Sequence, residues 1–338
     1  MKIIENNKNN SILITGCAGF IGYHLAKTFL GLGYKVIGID SLNDYYQKSL
    51  KIDRLKDLGI EIHNNNEIIY RSKDSNFSFF YCDLFNSGDI EKIFNDNQVN
   101  IVFHFAAQAG VRYGLINPES YIKNNLNSFF NILDISRKHK VSNFYYASSS
   151  SIYGNSTKDK FSESDFVDNP ISLYAATKKS NELIAHSYSS IYGIKTIGLR
   201  FFTVYGPWGR PDMAYFDFTK KIMHNQEIVV YNRGDLIRDF TYIDDVIQAI
   251  LLIMNNNNEI YNTYNIANGN PIKLSKFIDI IENALNIKAK IKYLEIEAGD
   301  VFKTSANIEK IKKFGFKPIN GHQLGVYKFI EWYKNYYN

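Results

Sequence analysis

The sequence SILITGCAGFIG, residues 11–22, decides the fold. Its first letters form an apolar run that predicts a buried strand, and a helical pattern of apolar residues begins at Phe20. Gly16, Gly19 and Gly22 stand at the junction, where glycine lets the chain turn tightly. Backbone amides and the helix N-terminus can then approach a pyrophosphate. The strand, the glycine turn and the helix together predict a dinucleotide-binding site.

The second predicted strand selects between the two common dinucleotides. KVIGID, residues 35–40, ends in Asp40, at the distance from the glycines that suits ribose recognition. A carboxylate there can accept hydrogen bonds from both ribose hydroxyls and would repel a 2′-phosphate. The sequence therefore favours NAD over NADP as the cofactor.

Short apolar runs alternate with helix-length segments as far as KTIGLRFF, which ends at Phe202. Such alternation predicts an α/β fold with a Rossmann-type, doubly wound parallel sheet covered by helices on both faces. The next stretch contains Pro207, Pro211 and several glycines, and is irregular. The predicted domains are an NAD-binding domain at 1–202 with a returning segment at about 240–270, and a smaller, C-terminally weighted α/β substrate domain at 203–239 and 271–338.

The composition is that of an ordinary globular protein. The 338 residues are 45% apolar, and the formal charge of +5 is scattered rather than striped, which argues against a nucleic-acid partner. No apolar run approaches the roughly 20 residues of a membrane span. Cys17, Cys82 and His104 show no metal-ligand spacing, and two cysteines do not make a disulfide scaffold. We therefore expect a cytoplasmic protein without a metal, a nucleic-acid partner or a membrane segment.

A second motif, SLYAATKK at residues 172–179, indicates proton transfer. On a helix, Tyr174 and Lys178 project from the same face about one turn apart. The ammonium group favours the phenolate, so it lowers the tyrosine pKa from about 10 toward neutrality. Tyr174 can then serve as an acid or a base. A solvated lysine beside a half-buried tyrosine is the purely structural alternative.

The glycine spacing, the tyrosine and lysine, and the serine run ASSSSIYG at 147–154 resemble the extended short-chain dehydrogenase/reductase superfamily, in its branch that acts on nucleotide sugars. This resemblance covers nearly the whole chain. It implies that Ser149 hydrogen-bonds the reacting oxygen, a duty that Ser151 can share. It also implies that Tyr174 takes the hydroxyl proton, while Lys178 lowers the tyrosine pKa and holds the nicotinamide ribose.

The resemblance also implies which residues hold NAD. Asp83 and Leu84, in YCDLF, match a pair that contacts adenine. Ala106 lies in a stretch of small residues beside the cofactor, and Asn124 supports the network on the cofactor side. The cofactor-binding residues implied are Gly16, Gly19, Phe20, Ile21, Gly22, Asp40, Asp83, Leu84, Ala106, Asn124, Tyr174 and Lys178.

The type of reaction follows from what the serine run contains. Dehydratases of this branch place Asp and Glu directly after the hydroxyl residue at the strand end, where this chain has Ser150 and Ser151. The resemblance therefore implies epimerisation, in which the sugar is oxidised at C4, rotated and reduced on its other face.

The strings LRFFTVYGPWGRPDMA at 199–214 and RDFTYIDD at 238–245 are similar to the UDP-glucuronate 4-epimerases. Thr203 replaces the Asn of galactose-type epimerases, and Arg210 can grip the C6 carboxylate in a bidentate manner. The further substrate-binding residues implied are Arg112 near the sugar, Tyr231 against uracil, Arg238 at the diphosphate and Asp300 near the substrate ribose.

Other interpretations of the sequence stay open. A UDP-glucuronate decarboxylase of this branch typically has Glu near the position of Ser151. A UDP-hexose or UDP-N-acetylhexosamine 4-epimerase would accept a neutral sugar, and an inactive NAD-binding regulatory protein would usually lack Tyr174 or Lys178. The resemblance further implies a homodimer that packs through the helices near 119–138 and 174–192, and a role in supplying galacturonate to a polysaccharide.

Overall fold

The computed structural model describes residues 10–62, 69–72, 76–295 and 301–337. The described residues divide into two compact units. Unit 1 takes its residues from Met1–Ile152, Ser172–Arg200 and Met254–Tyr264, and unit 2 from Tyr153–Ile171, Phe201–Ile253 and Asn265–Asn338.

The strands are short and the helices vary widely in length. In chain order the strands are β1 (Ser11–Thr15), β2 (Lys35–Asp40), β3 (Ile69–Arg71), β4 (Phe77–Tyr81), β5 (Ile101–His104), β6 (Asn143–Ser149), β7 (Thr196–Phe201), β8 (Thr203–Tyr205), β9 (Glu227–Tyr231), β10 (Ile237–Arg238), β11 (Phe240–Tyr242), β12 (Tyr261–Ile266), β13 (Ile272–Lys273) and β14 (Lys290–Leu294). The helices are α1 (Phe20–Gly31), α2 (Lys48–Asp57), α3 (Ser87–Asp96), α4 (Tyr113–Ile116), α5 (Glu119–Tyr121), α6 (Ser128–Lys138), α7 (Leu173–Tyr192), α8 (Ala214–Met223), α9 (Ile243–Asn256), α10 (Leu274–Leu285), α11 (Glu309–Lys312) and α12 (His322–Tyr337). A π-helical segment, Ile122–Asn127, joins α5 to α6.

Unit 1 is built on an eight-stranded sheet with the order β12-β7-β6-β5-β1-β2-β4-β3. Strand β1 runs parallel to both β2 and β5, with Ile12 opposite Val36 on one side and Ile101 on the other. Strand β3 is antiparallel to β4. The strand order reverses at β1 and β5, and open α/β sheets bind ligands at the carboxyl ends of the strands at this point. The predicted Rossmann-type fold is therefore confirmed.

The core of unit 1 explains why its strands read as apolar runs. Leu13 and Val102 of the sheet belong to a fully buried cluster with Phe129, Ile132 and Leu133 of the helix α6. A strand covered by helices has both faces away from water, so its sequence loses the alternation of a half-exposed strand. This packing fixes the strand ends that carry the site.

Unit 2 is held by aromatic packing and by small strand pairs. Phe240 and Phe277 stack with their ring centroids 3.8 Å apart, and Tyr205 packs edge-on against both rings. Strands β8 and β11 pair in parallel, as do β9 and β14, while β10 and β13 are antiparallel. The predicted substrate domain thus contains both strands and helices.

The limits of the units differ from the predicted domains mainly at residues 153–171 and at the segment that returns to unit 1. Residues 153–171 lie in unit 2, because Phe161 donates its backbone N–H to Ser305 O at 2.7 Å and accepts one from Asn307. The first part of α9 also lies in unit 2, where Asp245 accepts a hydrogen bond from the Ile319 amide. The segment that returns to unit 1 is therefore shorter than the predicted 240–270.

The described residues contain neither a membrane-spanning helix nor a metal-ligand cluster. None of their helices combines the length and apolarity needed to cross a bilayer. In the same part of the chain, no group of His, Cys, Asp and Glu side chains is arranged to hold a metal ion.

Candidate active site

The glycine turn is too tightly packed to accommodate side chains. Gly16 has a φ of +71°, and a Cβ there would lie 2.7 Å from the Ala106 nitrogen. A Cβ on Gly22 would lie 2.1 Å from the Gly16 carbonyl oxygen. Helix α1 begins directly after Gly19 and has no acidic residue in its first turn, so its positive end is not neutralised locally. The turn thus leaves bare backbone where a pyrophosphate would sit.

Two charged side chains fix the middle of this turn. The Ala18 amide donates to Asp40 Oδ2 at 3.2 Å, and the Leu42 amide donates to Oδ1 at 2.8 Å. Arg54, which is fully buried, donates to the Ala18 carbonyl at 2.8 Å. Asp40 therefore lies beside the glycine turn at the end of β2, as ribose recognition requires. The cradle and this carboxylate fit a dinucleotide.

The ends of β1 and β5 are linked beside the glycine turn. Thr15 Oγ1 accepts a hydrogen bond from the Ala106 amide at 3.2 Å and lies 2.8 Å from His104 Nδ1. Burial, assisted by the charge of Lys178, lowers the pKa of His104 to about 3, so the ring is neutral. This link holds Ala106 against Gly16 and explains the close approach of the two loops.

The pair after β4 has one exposed member and one buried member. Asp83 forms an ion pair with Lys123 at 2.8 Å and accepts the Phe85 amide at 3.0 Å. Leu84 is buried, and its carbonyl accepts a hydrogen bond from Asn131. Only Leu84 can offer a buried apolar surface to an adenine ring.

The buried hydrogen-bond network that was predicted for Asn124 is formed by its neighbour, Asn125. The Asn124 amide group donates to Ser120 O within its own helix. Asn125 is 1% exposed, exchanges two hydrogen bonds with the Gln108 backbone, and donates to Thr177 Oγ1 on α7 at 3.1 Å. The π-helical segment changes the phase of the helix here, so Asn125 turns inward. We therefore assign the network to Asn125.

The predicted proton-transfer residues come together at the end of β6. Lys178 is buried, donates to the Ala147 carbonyl at 2.9 Å, and has its Nζ 5.9 Å from the centroid of the Tyr174 ring. Burial lowers the pKa of Lys178 to about 8. Ser149 donates to Ser151 Oγ at 3.1 Å and accepts the Ser151 amide. The cluster contains an ammonium, a phenol and a hydroxyl, which suffice for proton transfer to or from an alcohol.

Helix α7 begins one residue before Tyr174, and its N-cap fixes this start. Ser172 is the N-cap, and its side chain accepts the Ala175 amide at 3.2 Å. A serine cap of this kind stabilises a helix by about 1 kcal/mol. The cap places Tyr174 in the first turn, where the ring is half-buried.

The substrate-binding candidates lie in different parts of the chain. Arg112 is exposed and precedes the short helix α4 of unit 1. In unit 2, Thr203 opens β8 and donates its amide to the Asp239 carbonyl, while Tyr231 ends β9. Arg238 donates to the carbonyl oxygen of Ile237. Asp300 lies outside the described residues.

Arg210 lies on a loop of unusual conformation in unit 2. It forms a bidentate ion pair with Asp212, with its Nε 3.0 Å from Oδ1. Two residues earlier, Trp208 has a φ of +59° and packs against Trp332 and Tyr336 of α12, with centroid distances of 5.3 and 5.1 Å. A bulky residue with positive φ is a strained position that its surroundings must hold. Aromatic packing by α12 therefore fixes the loop that presents Arg210.

The sequence-based site omitted three side chains that shape it: Arg54, Asn125 and Glu182. Arg54 and Asn125 each interrupt an apolar helical stripe, and a polar residue on such a stripe signals a buried contact. Glu182 follows Lys178 by one helical turn and is equally buried. The spacing alone could have indicated Arg54 and Glu182, whereas the inward turn of Asn125 also depends on the π-helical segment in which it lies.

Comparison with known proteins agrees with this geometry. Residues 12–267 match the model of the NAD dependent epimerase/dehydratase family. The protein CapI of Staphylococcus aureus is 49% identical, over 96% of this chain and 99% of its own length. UDP-glucuronate 4-epimerase 1 of Arabidopsis thaliana is 41% identical, over 99% of this chain and 79% of its own.

Solved structures show the same similarity. UDP-glucuronic acid 4-epimerase from Bacillus cereus, in complex with UDP-glucuronic acid and NAD, has a TM-score of 0.88 and 30% identity, and the match covers 97% of this chain and 100% of that one. UDP-glucose 4-epimerase from Thermotoga maritima, with UDP-glucose, has a TM-score of 0.84 and 26% identity over 97% and 100% of the two chains. The prediction of NAD as cofactor is confirmed, and by its matched family model and its relatives the chain belongs to the NAD dependent epimerase/dehydratase family.

Proposed function

We propose that this protein interconverts UDP-glucuronate and UDP-galacturonate by epimerisation at C4 of the sugar. The observation that carries the proposal is the buried Lys178, held on a strand carbonyl with its ammonium near the Tyr174 ring, beside a glycine turn fitted to a dinucleotide. The uronate is supported by Arabidopsis relatives named UDP-glucuronate 4-epimerases, at 38–41% identity over 97–99% of this chain.

The chain's own side chains provide the proton transfer. Tyr174 removes the proton from the C4 hydroxyl as the carbon is oxidised, and returns one when the ketone is reduced. The Lys178 ammonium favours the phenolate of Tyr174, and Ser149 with Ser151 hydrogen-bonds the reacting oxygen. The hydride chemistry at C4 is what NAD supplies when bound. Rotation of the keto sugar between the two half-reactions inverts C4.

The serines after β6 support epimerisation over elimination. Loss of water from the sugar needs an additional acid and base, and Ser150 and Ser151 offer only hydroxyls at the positions where dehydratases carry Asp and Glu. The family includes both reactions by name, so these two residues distinguish between them.

The remaining substrate roles belong to the same proposal. Arg210 and Thr203 hold the C6 carboxylate, Arg238 binds the diphosphate, and Tyr231 packs on uracil. Asp212 already accepts two hydrogen bonds from Arg210. The substrate carboxylate therefore has to share the Arg210 guanidinium with Asp212 or displace Asp212 from it. Further roles near the sugar and its ribose are proposed for Arg112 and Asp300.

Retention of the carboxylate is the feature that separates the proposal from its strongest alternative. A uronate with a C4 ketone is a β-keto acid and loses carbon dioxide when the breaking bond overlaps the carbonyl π system. A carboxyl group held in the ketone plane by Arg210 and Thr203 would not have that overlap. A decarboxylase would instead let this group turn out of the plane.

The direct test is product analysis with the purified protein. Incubation with UDP-glucuronate and NAD is expected to give UDP-galacturonate, identified by NMR or chromatography, without net NADH. UDP-xylose and carbon dioxide as main products would establish the decarboxylase, and turnover of UDP-glucose or UDP-N-acetylglucosamine with no action on the uronate would establish a neutral-sugar epimerase. No turnover of any of them, with NAD still bound, would favour a regulatory protein.

A homodimer and a cytoplasmic location are part of the same proposal. Phe130 of α6 is 47% exposed, and Leu183 and Tyr192 of α7 are 59% and 51% exposed, so neighbouring helices carry apolar surface suited to a second copy. Sedimentation should therefore give a dimer, and Leu183→Glu should give a monomer. The free, buried Cys17 and Cys82 accord with a reducing compartment. Supply of galacturonate to a polysaccharide is the expected use of the product.

A further inference from the structure

The helix that carries Tyr174 and Lys178 carries a third polar residue on the same stripe. Glu182 follows Lys178 by one turn of α7, and its side chain is 2% exposed. Lys178 donates to the Ala147 carbonyl at 2.9 Å. Glu182 Oε1 accepts a hydrogen bond from Ser148 Oγ at 2.7 Å. The helix is thus fastened to two consecutive residues of β6, directly before Ser149, which is proposed to hydrogen-bond the reacting oxygen.

Arg200 on β7 completes this arrangement. Its Nε donates to Oε1 of Glu182 at 2.8 Å and its Nη2 donates to Oε2 at 2.9 Å. Both side chains are almost wholly buried, at 4% and 2% exposure. Taking two ions out of water costs several kcal/mol each, and an apolar pair of similar volume is often at least as stable. The position of this pair next to Lys178 therefore points to a role besides stability.

We propose that Glu182 and Arg200 are positioning residues for the proton-transfer pair, a proposal that rests on the proposed function of Tyr174 and Lys178. The ion pair fixes α7 to β7, and the hydrogen bond from Ser148 to Glu182 fixes it to β6, so that the Lys178 ammonium stays on the Ala147 carbonyl. Arg200 also neutralises a carboxylate one turn away that would otherwise attract the same ammonium. The positive electrostatic field that Lys178 exerts on Tyr174 is therefore not weakened by Glu182.

Three other titratable groups around this stripe keep one protonation state near neutral pH. His104 on β5, close enough to feel the charge of Lys178, has its pKa lowered to about 3, mainly by burial. Tyr261 on β12 and Tyr146 on β6 lie beside Glu182. Burial raises the pKa of Tyr261 to about 12 and that of Tyr146 well above its usual range. These three groups therefore do not contribute a limb to a pH profile measured between those limits.

The test is the pH dependence of kcat/KM in two variants of opposite charge. Arg200→Met leaves Glu182 negative beside Lys178, so the rising limb of the profile should move up by about one pH unit. Glu182→Gln keeps the side-chain shape and an acceptor for Ser148 but leaves Arg200 uncompensated. That limb should move down. The double variant Glu182→Gln/Arg200→Met should return the limb to the wild-type position.

A matched control separates positioning from general stability. Leu133→Ala, in the core under α6, should lower the melting temperature and leave the limb in place. The proposal would be overturned if the rising limb of the pH profile did not move in either single variant, or if it moved in the same direction in both. The size of the loss of activity would not change that conclusion. If Arg200→Met fails to fold, the proposal is still tested by the other two variants. The rising limb should move to lower pH in Glu182→Gln and return to the wild-type position in the double variant. A wild-type protein without epimerase activity would instead reject the proposed function.

Discussion

At the scale of single residues, the ammonium of Lys178 is held by a backbone carbonyl and stands near a tyrosine ring. A carboxylate partner would neutralise its field, whereas a carbonyl dipole leaves most of the charge available to Tyr174. Burial lowers the pKa of Lys178 to about 8, so the group is still mainly charged at neutral pH. The neutral His104 nearby adds no competing charge.

Tyr174→Phe removes the proposed base and leaves the ring. Turnover of UDP-glucuronate should fall by about 100- to 10,000-fold, because general base catalysis typically contributes that much. NAD should remain bound, since the glycine turn and Asp40 are untouched, and this is measured as cofactor released on denaturing the purified variant. Unchanged turnover would mean that another group takes the proton.

Neighbouring asparagines give a second residue-scale prediction. Asn125→Ala removes three buried hydrogen bonds and should lower the free energy of unfolding by about 2 kcal/mol or more, with a clear loss of turnover. Asn124→Ala removes one bond within its own helix and should change both by much less. Urea unfolding and steady-state rates of the two variants check this. Equal losses in both would contradict the assignment to Asn125.

At the scale of secondary structure elements, the glycine turn and helix α1 provide an internally controlled prediction. Gly22→Ala places a Cβ 2.1 Å from the Gly16 carbonyl and should abolish NAD retention. Gly31→Ala, at the exposed end of the same helix, has no atom within 4 Å of its new Cβ and should stabilise the protein by up to about 1 kcal/mol. Cofactor content and thermal melts of both variants provide the measurement. Retained NAD in Gly22→Ala would disprove the cradle.

The elements also show which parts of the structure could be predicted from the sequence. The glycine turn and the strands β1, β2, β4, β5, β6 and β7 could be predicted, because each is encoded locally by glycine spacing or an apolar run, whereas the short edge strand β3 was not predicted. The inward turn of Asn125 could not be predicted from ordinary helical geometry, since the residue lies within a π-helical segment. Residues 153–171 join unit 2 through hydrogen bonds to residues 305–307, which are distant in sequence. The Arg200–Glu182 pair depends on sheet order in the same way.

At the scale of the whole molecule, unit 2 depends on one buried carboxylate. Asp239 is fully buried, and it accepts backbone N–H groups from Asn268, Gly269 and Ala306. Its own carbonyl accepts the Thr203 amide. Asp239 thus joins segments that are far apart along the chain: its side chain binds residues 268–269 and 306, and its backbone carbonyl binds the strand that carries Thr203.

Asp239→Asn keeps the shape of this side chain but turns one acceptor into a donor. The variant should lose about 1–3 kcal/mol of stability in unit 2, because a buried backbone N–H is left facing another donor. Hydrogen exchange should report faster exchange at 268–269 and 306, with the amides of β1 and β5 unchanged. Loss of protection throughout unit 1 would show instead that the two units unfold as one.

The order of strands in unit 1 bears on how the chain is made. Strand β12, near residue 261, is an edge strand, whereas β1, β2, β5, β6 and β7 are complete by residue 201. Domains of a growing chain generally fold as they leave the ribosome, the N-terminal one first. A nascent chain of this protein can therefore form its dinucleotide cradle and capture cofactor during translation. Helix α12, which packs on the Arg210 loop through Trp332, is synthesised after all of these strands, so this loop acquires its aromatic support later than the cradle forms.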